Sequence, residues 1–130
     1  MHELLPATLD SVATARHAVR RFAADLDVDL EAIVLAVSEA VANVVTHAYV
    51  DGTHGTVELS ALASPFEMTV TVRDRGRGLT EGNGTAGAGY GLLIIRRLAQ
   101  HVELAETPDG VALTMGFPRG SGSSGRQLLG

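Results

Sequence analysis

The chain has no cysteine, no tryptophan and no lysine. Without cysteine there is no disulfide framework, no thiolate nucleophile and no thiolate metal site. All ten basic residues of the Lys+Arg class are arginine. That excludes a Walker A loop, which needs a lysine on the phosphates, and the strand lysine of a eukaryotic-type protein kinase. Aromatics make up only 4% of the residues, so Val, Leu, Ala and Ile have to build the core. Long apolar runs are missing too: the richest, from Ile33 to Val45, is broken by Ser38, Glu39 and Asn43, and no membrane span is expected. Met1–Pro6 carries neither a basic nor a long apolar stretch, so no signal peptide is indicated. The formal net charge is −5, with no basic run interleaved with aromatics, which argues against nucleic acid as a direct partner. A cytoplasmic location is the expectation.

The 130 residues suit one domain with one sizeable core. Leu4–Leu9 reads as a first strand, with Pro6 marking an edge position. Asp10 or Ser11 is a cap for a helix with Val12, Ala15, Val19, Phe22, Ala23 and Leu26 on one face. Asp27 or Asp29 opens a longer helix to about Tyr49, with Leu30, Val34, Val37, Val41, Val44, Val45 and Ala48 as its apolar stripe. Ala36 and Ala40 are expected beside its polar side, where small residues allow close approach. Val57, Leu59 and Ala61 alternate as a strand does, Ser64-Pro65 turns the chain, and Phe66, Met68, Val70 and Val72 alternate again. Leu79–Gly89 is a glycine-rich loop. Tyr90–Gln100 reads as a third helix with Leu93, Ile94 and Leu98 among its apolar positions. His101–Glu106 and Val111–Phe117 form a second hairpin. The expected domain is residues 1–118, followed by a flexible Gly/Ser-rich tail at 119–130. The order β-α-α-β-β-loop-α-β-β predicts an α/β (α+β) two-layer sandwich, its mixed but mostly antiparallel sheet covered on one face by three helices.

Three motifs carry chemistry. Ser38-Glu-Ala-Val-Ala-Asn-Val-Val-Thr-His-Ala-Tyr49 spaces Glu39, Asn43 and His47 four apart, which stacks a carboxylate, an amide and an imidazole along one helix face. An amide oxygen is a hard ligand suited to Mg²⁺, and a carboxylate can take a proton. Taken alone, such a stripe is also what a half-buried helix shows to water. Asp74 opens Asp74-Arg-Gly76-Arg-Gly78. It shares parity with Phe66, Met68, Val70 and Val72, so its carboxylate points to the covered face, where it needs a donor such as an adenine amino group. Gly76 and Gly78 would leave a slot beside it; taken alone, the motif is equally a strand-ending turn with Asp74 as its cap. Gly87-Ala-Gly89-Tyr-Gly91 stands directly before an apolar helix, an arrangement that presents backbone N–H groups to phosphates. No Rossmann-type strand precedes it and no acidic residue stands at the ribose position, so a dinucleotide fold is not indicated.

In this order the motifs resemble the GHKL superfamily of histidine-kinase-like ATP-binding domains, and more narrowly the bacterial anti-sigma factor serine/threonine-protein kinases. Ser38-Glu-Ala-Val-x-Asn43-x-x-x-His47-Ala-Tyr49 matches that family's N box, and Gly87-x-Gly89-x-Gly91-Leu-x-Ile-Ile fits its second glycine box. The resemblance runs over residues 4 to 117. It implies ATP and Mg²⁺ as cofactors, with Asn43 as metal ligand and Glu39 as general base. It further implies His47 lining the nucleotide pocket, Asp74 accepting from adenine, Gly76 and Gly78 lining the base slot, and Gly87, Gly89 and Gly91 on the phosphates. The implied activity is sequestering a sigma factor and phosphorylating a serine on a STAS-type anti-anti-sigma antagonist, as a homodimer, with Arg16 touching partners. Val111 follows Gly110 where the superfamily usually has a threonine near the adenine. Two alternatives are an ATP-dependent switch that captures a partner without phosphorylating it, and a detached histidine-kinase-like catalytic domain.

Overall fold

The computed structural model describes residues 1–51, 55–74, 92–107 and 110–120, with the side chains of 47–51 and 107 left out. The elements are β1 (His2–Pro6), α1 (Asp10–Phe22), α2 (Leu30–Asp51), β2 (Thr56–Ala63), β3 (Glu67–Asp74), a short helix α3 (residues 92–98), β4 (His101–Thr107) and β5 (Gly110–Pro118). The strands form one sheet in the order β1-β2-β3-β5-β4. All four pairings are antiparallel, so the mixed character allowed for by the sequence pattern is not seen among the described strands.

Period-two alternation sorts the strand side chains between two faces. Leu59, Met68, Val70, Val72, Met115 and Phe117 are fully or almost fully buried on the face toward the helices. Ala15, Ala18 and Val19 of α1 and Ile33, Val37, Val41 and Val45 of α2 join them in one core. Each fully buried aliphatic side chain contributes about 1.5–3 kcal/mol, which is how a chain so poor in aromatics closes a core. The other face keeps polar groups such as Thr71 and Thr114, whose hydroxyls lie 3.3 Å apart across β3 and β5. No helix among the described residues is long and apolar enough to cross a membrane.

Several local expectations are corrected. β1 ends at Pro6, not Leu9, because Thr8 N–H turns back onto the Pro6 carbonyl and Ser11 N–H onto that of Thr8. As expected for its proline, β1 is an edge strand. Neither Asp10 nor Ser11 caps α1: Leu9 stands at the N-cap without a side-chain bond, and the buried Ser11 hydroxyl donates to the Pro6 carbonyl. Of the two candidates for α2, Asp29 is the cap, its Oδ1 accepting from Ala32 N–H at 3.2 Å. Ala36 and Ala40, expected beside the polar stripe, are themselves buried in the core. Phe66 lies in the turn before β3 and is exposed, since the Ser64 hydroxyl accepts from both Phe66 N–H and Glu67 N–H and the strand starts only at Glu67. In α3 the buried residue is Ile95, while Leu93 and Ile94 are exposed.

The chain stays attached past Pro118. Arg119 donates from Nε to Asp27 Oδ1 at 2.9 Å and from Nη1 to the Ser64 carbonyl at 2.8 Å. Gly120, in the left-handed region at φ 79°, donates its N–H to the Asp27 carbonyl. Arg119 and Gly120, expected to open the flexible tail, are thus hydrogen-bonded to the domain; residues 121–130 lie outside the described residues.

Candidate functional site

α2 holds the first two functional groups. Its Asp29 cap and buried apolar stripe fix the rotation of the helix on the sheet, and that rotation leaves Glu39 and Asn43 half-buried at the margin of the core. Residues four apart lie one above the other, so the carboxylate and the amide share one stripe. His47 belongs to the same helix, but its side chain lies outside the described residues. Ser38, next to Glu39, is turned inward and donates to the Val34 carbonyl at 2.7 Å.

β3 supplies the third group. Asp74 is the last residue of the strand and is only 2% exposed. The parity that carries Met68, Val70 and Val72 into the core carries the Asp74 carboxylate to the same face, as expected. In the sheet register Asp74 stands opposite Val57 on β2 and Val111 on β5, both fully buried. The carboxylate thus sits between two β-branched walls at the end of a central strand. α2 packs against β3, with Glu39 and Asn43 half-buried on the helix and Asp74 buried on the strand. Val57 had no place in the sequence reading beyond strand core. Its neighbourhood with Asp74 follows from pairing register, which strand periodicity does not encode.

The remaining candidates divide cleanly. Arg16 is exposed on α1, open to solvent and able to meet a partner. Gly76, Gly78, Gly87, Gly89 and Gly91 lie outside the described residues; α3 begins directly after the last of them.

A carboxylate stripped of water is a strong acceptor for an N–H donor, and it discriminates sharply against ligands that lack one. Glu39 and Asn43 offer hard oxygen donors. Mg²⁺ is commonly held by one or two protein oxygens together with phosphate oxygens, so this donor set fits a Mg²⁺-nucleotide. The same donors do not by themselves form a metal cluster: none of three or more His, Asp or Glu side chains occurs among the described residues.

Residues 5–117 match the sequence model of the histidine kinase-like ATPase domain. The chain is similar to the anti-sigma F factor of Bacillus subtilis (strain 168), with 34% identity over 84 residues, 62% of this chain and 58% of that protein. It is similar to the anti-sigma F factor of Geobacillus stearothermophilus with the same identity and coverage. The chain thus spans under two thirds of the length of these curated relatives. It also resembles the crystal structure of the RsbU and RsbW domains of a Mycobacterium tuberculosis protein, with a TM-score of 0.66 and 26% identity, over 92% of this chain and 33% of that one.

Proposed function

The chain belongs to the histidine kinase-like ATPase domain family, and from that premise we propose that it is a cytoplasmic, ATP-binding anti-sigma factor and protein-serine kinase. It sequesters a sigma factor and transfers a phosphoryl group to a serine of a STAS-type antagonist, acting as a homodimer. The observation that carries this reading is the Asp74 carboxylate, buried at the end of β3, together with Glu39 and Asn43 half-buried on α2, a helix that packs against β3. The kinship of the matched relatives, described as anti-sigma F factors, supports the choice of partners.

Each residue has a separable task. Asp74 accepts a hydrogen bond from the adenine amino group, and Gly76 and Gly78 line the base. Asn43 holds Mg²⁺ through its amide oxygen, and Gly87, Gly89 and Gly91 meet the phosphates. When bound, Mg²⁺-ATP supplies the phosphoryl group and neutralises its charge. Glu39 takes the proton of the incoming serine hydroxyl, so that its oxygen attacks as the bridging bond to the leaving diphosphate breaks. Positioning and charge neutralisation are what phosphoryl transfer asks of a protein. His47 flanks the nucleotide, and exposed Arg16 contacts the partners.

The purified protein, incubated with labelled ATP, Mg²⁺ and its cognate antagonist, should place label on a serine, and Glu39→Ala should abolish it. Absence of labelling with the correct antagonist refutes the kinase. A second reading, a switch that captures a partner and leaves ATP intact, draws on Val111. It is fully buried opposite Asp74 and lacks the hydroxyl that the superfamily usually places near the adenine. Stable partner capture with ATP undiminished over hours would select it.

A further inference from the structure

We infer that His101 is a positioning residue, a pin that crosses the sheet edge to hold the third helix in place and thereby tunes nucleotide affinity. This rests on the nucleotide reading of the site. His101 opens β4 three residues after α3 and pairs in register with Gly116 of β5. Its imidazole does not stay over its own strand. It extends across Gly116 to β3, where Nε2 donates to Glu67 Oε1 at 2.8 Å. The other oxygen, Glu67 Oε2, accepts from the Thr69 hydroxyl at 3.4 Å. Three strands are joined by one side chain.

Gly116 makes this crossing possible. A Cβ there would overlap the ring, with Cδ2 and Cε1 only 2.6 Å away. Its backbone is not in the left-handed region; among the described residues only Gly110 and Gly120 have positive φ. The glycine is needed for the close approach of the ring and not for its conformation.

The pin grips one face of the sheet while the helix grips the other. His101 shares the face of Gly116 and Glu67, opposite to the one covered by the helices. α3 is held on the covered face by Ile95, fully buried, with Leu92 and Leu98 half-buried against the core; Ala99, 9% exposed, follows it. Between them Ala99 N–H bonds the Ile95 carbonyl at 2.8 Å and Gln100 N–H the Gly116 carbonyl at 2.7 Å. A two-turn helix with one fully buried side chain depends on the backbone tie at its C-terminal end as well as on its apolar contacts. In the sequence its N-terminal end follows directly on Gly87, Gly89 and Gly91.

The test uses the full chain and a fluorescent ATP analogue with Mg²⁺, alongside hydrogen exchange of residues 92–98. Gly116→Ala and His101→Ala should each weaken nucleotide binding about three- to tenfold, the span of one lost hydrogen bond, and speed exchange in 92–98 but not in β2 and β3. The double variant should be no worse than the poorer single one, because both remove the same contact. His101→Gln, whose amide nitrogen reaches the place of Nε2, should restore affinity. Unchanged affinity in both single variants of a nucleotide-binding protein overturns the inference, as do additive effects or no rescue by glutamine. If the unaltered chain binds no nucleotide, the proposed function fails, and the pin stands or falls on exchange alone: unchanged protection of 92–98 in Gly116→Ala refutes it.

Discussion

Asp74 places a nearly fully buried carboxylate in register between Val57 and Val111, where the proposed adenine amino group would donate to it. Replacing its oxygen by an amide nitrogen turns an acceptor into a donor aimed at the same place. Asp74→Asn should therefore weaken adenine nucleotide binding by at least tenfold, on the scale of a buried, charge-assisted hydrogen bond, as measured by calorimetric titration. Glu39→Ala should do the opposite of this: leave nucleotide affinity within about threefold and remove label transfer, because the general base proposed at this position acts on the hydroxyl and not on the bound nucleotide. Both residues were legible in the chain, one through helical spacing and the other through strand parity. Val57 was not, because its role beside Asp74 depends on which strand lies next door.

At the scale of the element, α2 owes its start to one side chain and its rotation to a stripe. The Asp29 carboxylate satisfies an N–H that the first turn leaves without a helical partner. Asp29→Ala should destabilise the protein by about 1 kcal/mol in urea unfolding, without altering label transfer by the folded protein. α3 is the opposite case, a short helix with a single fully buried side chain, Ile95. Ile95→Ala should cost about 2–5 kcal/mol if the cavity stays open; a loss below 1 kcal/mol would show that α3 collapses onto the sheet. The sequence pattern put Leu93, Ile94 and Leu98 among the apolar positions because the four apolar residues Leu92–Ile95 in a row satisfy several helical rotations equally. Only contact with the sheet selects Ile95.

For the whole molecule, the clasp at Arg119 joins the α1–α2 connection to the β2–β3 turn, two segments far apart in the chain. The Arg119 guanidinium, bonded to Asp27, holds that carboxyl below its ordinary value of 3.8, helped by backbone donors and opposed by burial. A group whose folded-state pKa is lowered adds stability that is complete above its unfolded value and disappears as pH falls through the folded one. The stability difference between the natural chain and Asp27→Asn should then be constant above about pH 5 and shrink below 3.8, in denaturant unfolding followed across pH. A difference that persists unchanged at pH 2 would remove the clasp from the account.

The sequence by itself determined which side of each long element is buried, the order of the elements and the identity of Glu39, Asn43 and Asp74 as candidates. Those properties follow from periods of 3.6 and 2, which act within a few residues. Tertiary structure alone decided the remainder: the strand order β1-β2-β3-β5-β4, the burial of Ala36 and Ala40, and the walls around Asp74. It also decided the clasp at Arg119 and the crossing of His101 over Gly116. Each of these joins residues distant in the chain, and no local period records which distant surface will arrive.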